Sequence, residues 1–425
     1  MASPSAHILD KSNYSKHNLV TLPPEPLPQL PPSSIRIQSK ILGLTTNNFS
    51  YARIGHILGW WDTYPLPPNT PAPFNDSEKY GRISAWGYAE ILESTVSSIP
   101  VGHTVYGFLP ISDLPEDLAI EDAGYKNQLV VTSPHRQHLW KVYNRYQLTP
   151  PLSELEASPG LEFLAWDALM QGLFATSYNL NKYGFAWDEK NLCHPTGLPT
   201  TNDDADDTLD SWKNKDADLS GASVIVLSAS GKTAMAFAQQ VKNNRPKEHQ
   251  PRAVIGVGSE ASRSLSEGSG FYDKTVLYGD FDAVKTEIES AGPHRTVVID
   301  FGGRPGALEA WDSAFAGLSE THPYTFVRVG GEVTPQVPKT ATVRSTPSTK
   351  SVQVNANVLR EKGIGLGGDE YFSEFYEEFN KFKSNGGIPG SHIKWGSGMK
   401  GWEEGWDALC KDKVSADTAL VFKLE

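Results

Sequence analysis

VIVLSASGKTAMAFAQQVKN, residues 224–243, joins an apolar run to an amphipathic stretch through the small-residue turn SASGKT. An ATPase phosphate loop needs a glycine five residues before the glycine of GKT, so that backbone amides can curl around the phosphates. Val226 stands there, inside the apolar run, and that reading fails. A dinucleotide turn also links a strand to a helix start, with small residues that let a pyrophosphate approach the first helical amides. Ser228, Ala229, Ser230, Gly231 and Ala234 are small enough, and Lys232 and Thr233 add a cation and a hydroxyl. Serines replace the usual glycines at 228 and 230, so a serine-capped helix start remains an alternative from the motif alone.

The rhythm downstream favours the dinucleotide turn. ASVIVLS, RAVIGVGS, TVLYGD, RTVVIDFGG and YTFVRVG read as apolar strands, with helices at KTAMAFAQQVKN, Phe281–Ser290 and Ala307–Leu318 between them. Continuous apolar strands alternating with helices predict a parallel sheet covered on both faces, doubly wound by right-handed crossovers. The second strand ends in VGSEASR, where an acidic residue would bind the ribose hydroxyls of NAD. Ser259 with Arg263 instead suits a ribose 2′-phosphate, and so NADPH, although Glu260 argues the other way.

Upstream, residues 1–34 are rich in Pro and Ser and read as an irregular arm ending in a polyproline-like stretch. Residues 35–175 begin as short strands punctuated by Gly and Pro, a β-rich domain, and become helical from Leu161 to Tyr183, with Leu164, Ala168, Leu169 and Leu173 near helical spacing. Residues 176–352 make the cofactor domain. Within it, 186–220 is polar, acidic and aperiodic, a surface insertion whose run Asp203 to Asp210 lacks the turn glycine and terminal Glu of a calcium loop. Residues 353–425 return to the first domain through an exposed helix, DEYFSEFYEEFNKFKSN, and a last strand, ALVFKL.

Composition narrows the function. The 425 residues carry a net charge of −12, eleven Trp and two Cys. With no basic run, a nucleic-acid or anionic-membrane partner is not expected. Cys193 and Cys410 cannot build a disulfide scaffold or a cysteine-rich zinc site. No apolar run approaches the roughly 20 residues that span a bilayer, and MASPSAHILDKSNYSKHN lacks the apolar core of a signal peptide. A cytoplasmic protein is the expectation.

The order of parts, together with NNFSYARIG (47–55), GRISAWGYAEILES (81–94), GHTVYGFLP (102–110), HRQHLWKVYNRY (135–146) and SASGKTAMAFA (228–238), resembles the medium-chain dehydrogenase/reductase superfamily. Within it the chain is similar to a branch known only as a domain of unknown function. The resemblance implies a GroES-like β-rich domain joined to a Rossmann-type domain. It further implies that a Thr or Ser of GLFATSYNL, with Thr176 the candidate, faces the nicotinamide side, that Tyr278 packs near the adenosine, and that the strand end with Asp300 and Gly302 borders the nicotinamide ribose. The zinc branches carry a Cys and a Gly-His-Glu motif that are missing here: GHI at 55–57 lacks the Glu, and NNFSY occupies the region of the first ligand. The likeness is therefore to zinc-free, quinone-reductase-like members.

In those members a tyrosine matching Tyr51 lines the active cleft, where a phenol can donate a proton to a carbonyl. Asn47 and Asn48 can orient a carbonyl or simply cap a turn. Ser50 is a further candidate, and Arg53 reads as a surface residue. Trp60, Trp61 and Trp86 read as an aromatic wall for a flat substrate or as core anchors. His135 and His138 have an i, i+3 spacing that a metal can use, without a third ligand nearby. No Gly-x-Ser-x-Gly elbow appears. The expectation is an NADPH-dependent, zinc-free oxidoreductase that reduces an enone, quinone or polyketide-like intermediate by hydride transfer in the interdomain cleft. The alternatives are a cyclase, isomerase or lyase on a secondary metabolite, or a non-catalytic NADPH- or ligand-binding protein. The strand YTFVRVG at 324–330 would be the edge through which a homodimer forms.

Overall fold

The computed structural model describes residues 3–200, 212–316, 318, 322–331 and 351–424. These divide into two units. One runs to Gln171 and resumes at His392; the other takes Gly172 to Ser391.

In the second unit, six parallel strands lie in the spatial order Lys274–Leu277, Ala253–Gly258, Ser223–Leu227, Thr296–Asp300, Tyr324–Arg328, Ser351–Gln353. The first three in sequence run outward one way from Ser223–Leu227 and the rest the other way, the doubly wound pattern. All five residues of Ser223–Leu227 are buried, as a strand covered on both faces requires. The helices Lys232–Asn243 and Phe281–Ser290 fall where apolar periodicity places them, and the helix from Ala307 ends at Phe315, three residues before the expected Leu318.

Four details of this unit depart from the sequence reading. Tyr324–Arg328 is not an edge, because Ser351–Gln353 pairs beside it, so a dimer through that strand's free edge is ruled out. The helix Asp369–Ser384 is not simply exposed: Tyr371, Phe372, Phe375, Phe379 and Phe382 form a buried stripe, and Phe379 and Phe382 pack on Phe174 at 5.0 and 5.2 Å. That packing holds the helix in the second unit and moves the return to the first from 353 to His392. Nor is the insertion at 186–220 wholly on the surface. Trp212 is fully buried against Phe185, and its indole N–H donates to the Gly184 carbonyl at 3.0 Å. The acidic run at 203–210 lies outside the described residues.

The first unit is a barrel. Ser34–Leu44 pairs with both Ser84–Ser94 and Glu116–Asp122, closing a circuit through Thr104–Pro110, Arg145–Thr149 and Gln128–Val131. The C-terminal strand Thr418–Lys423 adds antiparallel to Ser34–Leu44. Two glycines permit the closure. A Cβ at Gly87 would sit 1.8 Å from the Ile41 carbonyl oxygen, and one at Gly107 would sit 2.5 Å from the ring of Tyr146.

Residues 1–34 are not an irregular arm throughout. Ser5–Asp10 and Asn13–Thr21 form a hairpin, and the first of these strands is wholly buried. The helix Gly398–Cys410 clamps it. An indole N–H can only donate, so Trp402 Nε1 places a hydrogen on His7 Nδ1 at 3.3 Å. The His7 proton is then on Nε2 and points to His17 Nδ1 at 3.1 Å, which leaves the His17 Nε2 proton facing Asp407 at 3.8 Å. Among the described residues no helix is long and apolar enough to cross a membrane.

Burial, with the His17 charge second, holds His7 well below the usual imidazole value. Burial also lowers His17, against the opposing pull of Asp407 and Glu403 and with a minor push from Lys411. The unfolded chain therefore takes up protons near pH 6.5 that the folded chain refuses. Stability should be complete above that pH and fall on acidification below it, by up to about 1.4 kcal/mol per pH unit for each imidazole. Thermal midpoints should drop between about pH 7 and 5.5 in the wild type and less in His17→Gln. Equal slopes in the two proteins would remove the histidine pair as the cause.

Candidate active site

The turn after Ser223–Leu227 is built by three hydrogen bonds. Ser228 takes a left-handed backbone at φ 63°, and its carbonyl accepts the Gly231 amide at 2.8 Å. The Ala229 amide donates to Val257 in the neighbouring strand at 2.9 Å, and the Ala229 carbonyl accepts the Tyr272 hydroxyl at 2.7 Å. Gly231 then precedes the helix Lys232–Asn243, which has no side-chain cap. The amides of its first turn have no carbonyl above them and carry the positive end of the helix dipole. Among the described residues neither the Lys232 ammonium nor the Thr233 hydroxyl has a hydrogen-bond partner. Burial pushes the Lys232 ammonium down to about 8. Free amides, a hydroxyl and an uncompensated cation are the donor set an anion needs. Ser230 belongs to the same turn.

The neighbouring strand ends converge on this turn. The Tyr278 amide donates to the Gly258 carbonyl at 3.1 Å. Burial raises the Tyr278 hydroxyl, and hydrogen bonds from Ser228 and from the Arg304 amide oppose that rise. The Arg304 guanidinium lies 5.6 Å from the Tyr278 ring centre. Asp300, at the end of Thr296–Asp300, accepts the amides of Gly302 and Gly303 at 3.0 and 2.7 Å. Gly302 has φ 104°, and a Cβ there would meet the Gly331 carbonyl oxygen at 2.7 Å. Ser259 follows Ala253–Gly258 and bonds Ser262 at 3.1 Å. Arg263 is engaged on its own helix, with Nε 2.8 Å from Glu267 and Nη1 3.7 Å from Glu260. Thr176 is turned back to the Gly172 carbonyl at 3.2 Å. It is Ser177, one residue on, that reaches the helix start, donating to the Thr233 carbonyl at 2.8 Å.

In the first unit the helix Asn47–Arg53 carries Tyr51, which is buried. Its oxygen accepts hydrogen bonds from Asn47 Nδ2 at 2.7 Å and Trp86 Nε1 at 2.8 Å. Both are donors, so the phenol keeps its own hydrogen to offer elsewhere. Burial raises the Tyr51 hydroxyl, and the two donors only partly offset this, so it stays a neutral phenol. Trp60, Phe108 and Tyr143 meet its ring edge-on at 4.9, 4.8 and 6.2 Å.

The other candidates separate. Asn48 is consumed as a pin, accepting the Thr45 amide at 2.9 Å and donating to the Ser84 carbonyl at 3.1 Å. Ser50 shares the helix and makes none of these bonds. Trp61 lies against Tyr14 of the hairpin at 6.2 Å, not against Tyr51. His135 and His138 each meet a backbone carbonyl, of Thr63 and Gly59, at 3.3 Å. Among the described residues no three His, Cys, Asp or Glu side chains gather as a metal would need. Tyr143 and Arg304 lie outside the sequence reading, and only Tyr143 left a signal, its place in the aromatic run HLWKVYNRY; Ser177 is the serine of GLFATSYNL, beside the Thr176 that the resemblance singled out.

Solved structures of similar fold include three at 12% identity. They are the mitochondrial 2-enoyl thioester reductase Etr1p/Etr2p heterodimer from Candida tropicalis (TM-score 0.55, all of both chains covered), CurA from Vibrio vulnificus in complex with NADPH (0.52, 99% of each), and the CurF ER cyclopropanase of the curacin A biosynthetic pathway (0.54, all of both). The likeness is one of fold: a GroES-like barrel and a parallel Rossmann-type sheet. The chain belongs to the family described as "Protein of unknown function (DUF2855)", whose model matches residues 42–415. No curated protein matches it.

Replacing Tyr51 with Phe would leave the Asn47 amide and the Trp86 indole N–H without their acceptor. Unfolding in urea should show a loss of about 1–3 kcal/mol, with a shifted Trp emission. Unchanged stability would mean that neither donor depends on the phenol.

Proposed function

We propose that the protein is an NADPH-dependent oxidoreductase that reduces a conjugated carbonyl compound: an enone, a quinone or a polyketide-like intermediate. The observation that carries this reading is the uncompensated Lys232 ammonium beside the free first-turn amides of Lys232–Asn243, directly after the first parallel strand. A dinucleotide pyrophosphate fits that donor set. Lys232, Thr233 and the amides would hold the pyrophosphate, Ser228 and Tyr278 would border the adenosine, and the Asp300-pinned turn at Gly302 would border the nicotinamide ribose. When bound, NADPH supplies a hydride. Tyr51 would hold a proton at its hydroxyl and present it to the substrate carbonyl, with Asn47 and Trp86 fixing where that oxygen sits. Trp60 and Trp86 would supply flat apolar walls. CurA in complex with NADPH supports the cofactor, and the 2-enoyl thioester reductase supports the carbonyl class.

A non-redox use of the same fold, as a cyclase, isomerase or lyase, is the second reading, favoured by the cyclopropanase among the similar structures. It predicts conversion of a substrate with no NADPH consumed.

Titration of the protein with NADPH and NADH, followed by energy transfer from Trp to the reduced nicotinamide, tests the first reading. Micromolar NADPH binding, then NADPH oxidation with an enone or quinone that Tyr51→Phe slows by about 10²-fold or more, is the expected outcome. Binding of neither nucleotide would reject it. The Lys232 cation is present below about 8 and lost above it. NADPH affinity should therefore weaken as pH rises from about 7 to 9, by at most about tenfold per unit. Lys232→Met should lack that slope, and a flat profile in the wild type would remove Lys232 from the site.

A further inference from the structure

The same site contains two arginines, and the geometry assigns them opposite roles. We propose that Arg304, held on the ring of Tyr278, is the residue that recognises a ribose 2′-phosphate, and that Arg263 is not. This inference rests on the nucleotide reading of the site and goes beyond it, by naming the residue that would set preference for NADPH over NADH.

Arg263 has the sequence position for the task but not the charge. Glu267 takes its Nε at 2.8 Å and Glu260 lies 3.7 Å from its Nη1, so two carboxylates surround one guanidinium. Glu267 is anchored in turn by the Thr275 hydroxyl at 2.9 Å. An incoming phosphate dianion would meet a locally negative cluster, and each exposed carboxylate would oppose it. All three side chains sit on one helix, Glu260–Gly268, at spacings of three and four residues, so the arrangement is intrinsic to that helix.

Arg304 differs on each count. It is exposed, and among the described residues it has no carboxylate partner. The nearby Asp300 carboxylate is already turned to the amides of Gly302 and Gly303. The face of Tyr278 holds the guanidinium without consuming its hydrogens, since a cation over a ring uses charge and shape and leaves the N–H groups free for an anion.

Tyr278 fixes where that cation sits. Its hydroxyl is tied to Ser228, at the end of the first strand, and its amide is tied to Gly258, at the end of the second. Ser259 follows Gly258 directly. The guanidinium is therefore fastened to the residue that bridges those two strand ends. A nucleotide whose pyrophosphate lies on Lys232–Asn243 must place its adenosine ribose there.

The test uses the full chain. Affinities for NADPH, NADH and the fragment 2′,5′-ADP are measured for the wild type, Arg304→Ala, Arg304→Lys and Arg263→Ala, with thermal midpoints as the folding control. Arg304→Ala should weaken NADPH and 2′,5′-ADP by about 10- to 100-fold, the worth of one charged hydrogen-bonded contact. It should leave NADH within about twofold, and Arg304→Lys should recover part of the loss. Arg263→Ala should keep the NADPH-to-NADH ratio of the wild type.

A collapse of that ratio in Arg263→Ala, with Arg304→Ala unchanged, would overturn the assignment and leave the nucleotide site standing. Equal loss of both nucleotides in Arg304→Ala would also overturn it, by showing that Arg304 only supports Tyr278. Wild-type protein that binds NADPH and NADH equally would end the inference alone. Wild-type protein that binds neither would end the nucleotide reading as well.

Discussion

The strand Ser223–Leu227 is the constraint on which the second unit depends. It is hydrogen-bonded on both edges, with Leu227 opposite Val257 on one side and Asp300 on the other, and each of its residues is buried. A strand enclosed in this way cannot shift its register without exposing apolar side chains and breaking two ladders at once. Its end is therefore fixed, and the chain must leave the sheet within a few residues. Ser228 does so with a left-handed backbone, which costs a non-glycine residue on the order of 1 kcal/mol. The bonds from Gly231, Ala229 and Tyr272 hold the turn in that shape. The product of this constraint is a helix start without a side-chain cap, whose first-turn amides have no carbonyl above them.

The barrel imposes a second constraint of the same kind. Backbone atoms of facing strands approach so closely at Gly87 and Gly107 that no side chain fits. Trp86 and Phe108, flanking those glycines, are thereby set beside Tyr51. The Trp86 indole N–H reaches the phenol across 35 positions of sequence, and Asn47 reaches it across four. Two donors on one phenol oxygen orient its remaining hydrogen, which is the property a proton donor needs.

The candidate residues of each unit were partly legible. The turn at 228–233 follows from small residues between an apolar run and an amphipathic one, and Tyr51 and Asn47 follow from resemblance. Asn48 was not separable from Asn47, because the acceptor that captures it, the Ser84 carbonyl, lies 36 residues away. Arg263 is ion-paired on its own helix. Glu260 and Glu267 stand three and four residues from it, and that spacing was readable as ion pairing on one helix. Arg304 gave no warning, since nothing near it in sequence indicates that it would lie on Tyr278. The hairpin at residues 5–21, buried along its first strand, was obscured by polar residues such as His7, whose partner Trp402 is 395 positions away.

Taken alone, the sequence determined five strands of the second unit, in their chain order, and the helices that follow the first, third and fourth of them. Apolar periodicity is a property of neighbouring residues, so it gave the helices Lys232–Asn243 and Phe281–Ser290 to their ends, and the parallel strands with them. Tertiary structure decided which face of Asp369–Ser384 is core, that Ser351–Gln353 covers the edge of Tyr324–Arg328, and which arginine is neutralised and which is left free. Each of those outcomes depends on a partner brought in by chain closure. Local spacing carries no record of closure, because the contact becomes adjacent only after the chain has folded.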